Sequence, residues 1–175
     1  MSNLRLINET TTTGTVSTLD ITDVFSADFD IYKIVINDLD VTANPFIYLK
    51  FINSSGSVIA SGYDRAALLM YSWTTFGESR ATNTDKIILG WANGSDTAEN
   101  IGVVAYVFNP FSSSSYTFFL DQSMSTYAPS GLATNGFKGI AVAKNTSSAT
   151  GIQLQPSQGG TFGLEIRTYG LRVDS

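Results

Sequence analysis

The stretch TFGLEIRTYGLRVDS, residues 161–175, decides how the chain is read. Leu164, Ile166, Thr168, Gly170 and Arg172 share one face of an extended segment, and Glu165, Arg167, Tyr169, Leu171 and Val173 share the other. Such a period of two is the mark of a strand. A strand this regular near the end of the sequence is expected inside a sheet, closing the fold beside an early strand, for which IYKIVIN (31–37) is the best match. Gly170 permits a bend or a close neighbour.

The same period, or short apolar runs bounded by Gly, Asn, Asp, Ser and Pro, recurs through the chain. It predicts strands at FIYLKFIN (46–53), KIILGWA (86–92), VVAYVFN (103–109), YTFFL (116–120), FKGIAVA (137–143) and GIQLQ (151–155). Weaker candidates are LRLI (4–7), VSTLDIT (16–22) and VIASG (58–62). AALLMYSW (66–73) has a helical composition, but its β-rich context favours a strand. NSSG (53–56) and ANGSD (92–96) read as tight turns, and residues 121–136 as a long polar loop. Helical character is confined to DITDVFSADF (20–29), where Asp20 or Thr22 could cap one or two turns. The expected fold is all-β: one antiparallel β-sandwich of about ten to twelve short strands over residues 15–175, preceded by an N-terminal arm over residues 1–14.

Composition narrows the function. Charged residues make up only 14% of the chain, well under the usual figure of about 25%. Roughly forty Ser and Thr take their place. A polar surface with few charges suits a protein built into an assembly. The net charge of −5, with no basic run, argues against nucleic acid. No apolar stretch approaches the roughly 18–20 residues that span a bilayer as a helix. MSNLRLINETTTTG (1–14) lacks the apolar core of a secretory signal, so synthesis in a cytoplasm and release by lysis are expected.

There is no cysteine and no histidine. Thiol chemistry and the side chain best suited to proton transfer near neutrality are therefore both missing. The acid pairs Asp20 and Asp23, Asp28 and Asp30, and Asp38 and Asp40 could suggest glycoside hydrolysis, but they sit where Asp is favoured in turns. Nothing matches a calcium loop or a phosphate-binding loop. Asn8, Asn53, Asn93 and Asn145 fit the glycosylation pattern by chance in so Ser/Thr-rich a chain. No catalytic residue, cofactor or metal site is expected.

Interaction residues are the remaining candidates. Leu4, Arg5, Leu6 and Ile7 could add a strand to a neighbouring sheet, with TTTTG (10–14) as a tether. Equally, LRLI could pair within its own domain. If it docks, deleting residues 2–14 is expected to abolish incorporation into a larger assembly and leave the domain folded. Trp73, Phe76, Phe111 and Tyr127 are candidates for exposed aromatic contacts, although large aromatics are more often buried in a core or an interface. Trp91, in a strand pattern, reads as core.

Two segments carry a resemblance. DVFSADFDIYKIVINDL (23–39) with YLKFINSSGSVIASGYDRA (48–67), and the ending GGTFGLEIRTYGLRV (159–173), resemble small virion structural proteins of tailed bacteriophages, particularly those of marine cyanobacteria. The likeness runs from about Leu4 to Val173. It implies a jelly-roll-like sandwich without enzymatic activity, present in many copies in the virion and assembled in the host cytoplasm. Its partners would be the major capsid protein or tail components, with a homo-oligomer, a trimer included, as the assembling unit. A capsid decoration or cement protein is the leading expectation. A tail- or fibre-associated sandwich that binds host surface glycans is the alternative.

Overall fold

The computed structural model describes residues 3–43, 45–92, 100–127 and 133–172, with only the backbone of Gly14, Thr15 and Tyr127. Its strands are β1 (Leu4–Val16), β2 (Leu19–Ile21), β3 (Ile31–Val41), β4 (Phe46–Asn53), β5 (Tyr63–Tyr71), β6 (Gly77–Thr84), β7 (Ile87–Trp91), β8 (Ile101–Phe108), β9 (Thr117–Tyr127), β10 (Ala133–Ala143), β11 (Ala149–Pro156) and β12 (Phe162–Leu171). They form two antiparallel sheets: an eight-stranded one in the order β1-β12-β3-β8-β9-β10-β5-β6, and a four-stranded one in the order β2-β11-β4-β7.

Eight of these strands make a jelly roll. β1 pairs with β12, β2 with β11, β3 with β8 and β4 with β7. These four pairs are one folded ribbon rolled into facing sheets, β1-β12-β3-β8 over β2-β11-β4-β7. The other four strands are two inserted hairpins. β5–β6 lies in the chain between β4 and β7, and β9–β10 between β8 and β11. Both join the free side of β8, so that sheet gains a wing, β9-β10-β5-β6, which doubles its width.

The core lies between the sheets. β12 turns Leu164, Ile166 and Thr168 inward against Ile34 and Ile36 of β3, while Leu49 and Phe51 of β4 and Ile152 and Leu154 of β11 come from the facing sheet. The closing strand has β1 on one side and β3, the IYKIVIN strand, on the other. Gly170 admits the ring of Phe29, whose atoms would lie 2.6 Å from a β-carbon at that position. Tyr63 fastens the start of β5 to β4 by accepting from Phe51 N (2.9 Å) and donating to Ile59 O (3.0 Å).

Several expectations are corrected. Of the expected loop at 121–136, residues 121–127 and 133–136 are strand: the polar run DQSMSTY continues β9, and ATNG opens β10, while 128–132 lie outside the described residues. Its Ser, Thr and Asn satisfy their backbones in the ladder, which polar composition alone does not reveal. GESR (77–80), which reads as loop, starts β6, an edge strand with little apolar content. Residues 20–29 contain no helix. Val24 and Phe25 both donate their N–H to Thr150 O, and Val24, Phe25 and Phe29 are buried in the core. That burial outweighs the local helical tendency.

Residues 66–71 of the ambiguous segment are strand, within β5. The turn at 53–56 is present: Gly56 N donates to Asn53 O at 2.9 Å, and Gly56 has a φ of +78°. VIASG forms only an isolated bridge, from Val58 to Ile52. Trp91 is half-buried against Phe46 rather than deep in the core. All but Ala92 of the ANGSD turn lies outside the described residues.

Candidate functional site

Strand register sorts the eight-stranded sheet into an inner face, turned to the small sheet, and an outer face that nothing among the described residues covers. On the outer face one continuous cross-strand row reads Leu4, Leu171, Ile31, Phe108, Phe118, Val142. The next row contains Leu6, Tyr169, Lys33, Tyr106, Leu120 and Ile140, ending at Ala66 and Arg80. Phe118 is 49% exposed, Ile140 60% and Met124 65%. Two shallow grooves cross this face. One of about 890 Å³ lies over Ala66, between Phe118, Ile140 and Val142 on one side and Arg80 on the other. The other, of about 630 Å³, runs past Val35, Gly102, Val104 and Met124.

Charge is kept off the two central strands of this face. β8 and β9 place no charged side chain on it, since their outward residues are Gly102, Val104, Tyr106, Phe108, Phe118, Leu120, Gln122 and Met124. On the β1–β12 side stand Glu9, Glu165 and Arg167. Arg167 donates to Glu9 Oε1 through Nε (3.1 Å) and Nη2 (2.9 Å), and its Nη1 pairs with Glu165. On the β5–β6 side stand Asp64, Glu78 and Arg80. Asp64 is held by Lys144 at 3.0 Å and by Asn83 N at 2.8 Å, which keep its carboxyl below the usual range. Arg80 has no ion-pair partner among the described residues. Lys33 on β3 and Lys138 on β10 stand beside the charge-free pair β8 and β9, so the face carries charges of both signs.

The sequence candidates fall in three places. Leu4, Arg5, Leu6 and Ile7 belong to β1, which is an edge strand of its own domain and not a detached arm. Of the two fates open to LRLI, the structure has the pairing one. Leu4 and Leu6 lie on the outer face, Arg5 lies opposite Gly170 on the inner one, and Ile7 sits at a register shift and packs against the core. Trp73 and Phe76 are exposed at the tip between β5 and β6, where the Tyr71 and Trp73 rings are 4.9 Å apart. The backbone of Tyr127 lies at the same end of the wing, because β10 carries Ala133 opposite Tyr127 and Asn135 opposite Tyr71. Phe111 is exposed at the opposite end, after β8, near Ser26 and Phe29. The four aromatics therefore do not make one platform.

The acid pairs divide between turns and strands: Asp20 lies in β2, and Asp38 and Asp40 lie in β3. Asp28 bonds Ser26, Asp20 accepts from Gln153 Nε2 at 2.8 Å, and Asp23 and Asp38 adopt positive φ. Among the described residues no three His, Cys, Asp or Glu side chains are grouped to hold a metal ion.

Sequence reasoning missed the outer face itself. Its signal was present: IYKIVIN, VVAYVFN and YTFFL are apolar at both parities, whereas a sheet open to water on one side alternates apolar with polar. Asp121 was also missed, inside the segment that reads as loop. It lies on the inner face of β9, 2% exposed, beside Gly139, and neither carboxylate oxygen has a hydrogen-bond partner among the described residues. Arg65 and the Ile87–Ile88 pair of β7 line the same closed space, but Arg65 turns its Nη1 to Ser79 Oγ at 2.9 Å. Burial pushes the Asp121 pKa up to about 8.

Fold and surface together define a jelly-roll sandwich, widened by two inserted hairpins and carrying one open apolar sheet face. The chain matches no protein-family model and no curated protein sequence.

Proposed function

We propose that this chain is a non-enzymatic structural protein of a tailed-bacteriophage particle, a capsid decoration protein that joins the assembled virion by surface complementarity. The observation that carries the reading is the open outer face of the eight-stranded sheet. An apolar surface of this extent is a liability in a free monomer and a working part in an assembly. Low charge, the resemblance to virion proteins, and the use of jelly rolls in viral capsids support it. The test is quantitative mass spectrometry of purified particles from a lysate that produces the chain. Hundreds of copies per particle are expected; a few dozen would move it to the tail or a vertex, and its absence from particles would sink the reading.

One observation favours a second reading, a tail- or fibre-associated module that binds host glycans: the exposed Trp73, beside the half-buried ring of Tyr71 at the wing tip. Aromatic faces of this kind stack on sugar rings, and jelly rolls also serve as lectins. On a glycan array, retained binding by wild type and a loss of at least tenfold in Trp73→Ala would support it. A blank array for the wild type would end it.

A further inference from the structure

We propose that the outer face of the eight-stranded sheet is covered by a second copy of this chain, the two sheets packing face to face about a two-fold axis that runs along the strands between β8 and β9. This names the occupant of the face on which the virion reading rests.

Size is the first argument. Eight strands about 4.8 Å apart span about 34 Å, and the rows of outward side chains cover about 20 Å along the strands. The flat projection is roughly 700 Å², and side-chain relief brings it near the roughly 800 Å² per partner of a stable interface. Sheets with the same twist pack aligned, at about −30° and about 10 Å apart, so a sheet is a natural cover for its own copy.

Charge is the second. A chain of net −5 repels itself, but this face carries charges of both signs around a charge-free centre on β8 and β9. That is the apolar core and polar rim of an interface. The proposed axis sets β6 of one copy beside β1 of the other. By register Arg80 then lies over Leu6 of the other copy, and Glu78 over Glu9, which Arg167 already pairs. The same axis sets β12 of one copy over β5 of the other, where the groove floored by Ala66 receives the bulk of Tyr169 and Leu171.

Sedimentation equilibrium on the purified full chain tests the proposal. The wild type is expected at about twice its 18.8 kDa chain mass at tens of micromolar. Ile140→Lys, at a position 60% exposed and so harmless to the fold, is expected to be a monomer with an unchanged circular dichroism spectrum. Ala66→Glu, in the floor of the groove that takes Tyr169, is expected to weaken the dimer at least tenfold. A monomeric or trimeric wild type, or a dimer that survives both substitutions, overturns the proposal. Because no virion component is present, such a failure leaves the particle experiment to decide the virion reading by itself.

Discussion

Replacing Asp121 with Asn is expected to stabilise this protein at pH 8 and to change little at pH 4. The native carboxyl has a pKa of about 8, set by burial without a hydrogen-bond partner, against about 3.9 in an unfolded chain. Below pH 4 both states hold the proton and Asp121 costs nothing extra. Between pH 4 and pH 8 the unfolded state releases its proton while the native state keeps it, so stability falls by about 1.4 kcal/mol per pH unit. Above pH 8 both are ionised and the loss is complete, on the order of 5 kcal/mol. Thermal unfolding of wild type and Asp121→Asn across this range isolates the effect, because every other carboxylate is common to both. A gap that widens towards pH 8, to about 10 °C, is expected. Parallel curves would show that Asp121 is hydrated or paired in solution. Arg65 is the charged group nearest this space, and its Nε also lacks a partner. The wing hairpins thus join the jelly roll at a point of poor polar satisfaction.

Deleting residues 2–14 should destabilise the whole domain, not merely detach a docking arm. β1 holds nine registered positions against β12, from Leu4–Leu171 to Val16–Phe162, and eight of them fall within the deletion. Ile7 would be lost from the core margin, and the hydrogen-bonding edge of the closing strand would be laid open. A loss of about 4 kcal/mol is expected once the ordering entropy of the strand is set against its hydrogen bonds and apolar burial. That corresponds to about 10 °C in Tm for a chain of this size. The check is differential scanning calorimetry of the truncated chain. An unchanged Tm would return residues 1–14 to the role of a free tether.

How much of this was legible depends on which residues carried the signal. Alternation in GLEIRTYGL marked β12 and its two faces, and IYKIVIN was identified as its neighbour, because apolar side chains at period two leave few ways to bury themselves. β6 and the outer half of the β9–β10 hairpin were illegible for the opposite reason. Their polar side chains carry no periodic signal, and only hydrogen bonding to β5, β8 and one another makes them strands. Residues 20–29 misled because Val24, Phe25 and Phe29 space like a helical stripe, yet each is anchored in the sandwich core.

The candidate surface shows the same division. Apolar residues at both parities in the β3, β8 and β9 segments were visible in the sequence, and they call for cover on both faces. That one of those faces is open and continuous across eight strands could not be seen, because cross-strand rows exist only once register is set. The buried state of Asp121 was hidden likewise, since a lone Asp between Leu120 and Gln122 acquires its environment from Gly139, Ile87 and Arg65, all remote in sequence. By itself, then, the sequence determined an all-β sandwich, its strongest strands and a composition without thiol or imidazole chemistry, because periodicity and residue type are local. The insertion of two hairpins into one sheet, the open face they complete and the carboxyl trapped beneath them were decided only by tertiary structure, because each depends on which distant strands become neighbours.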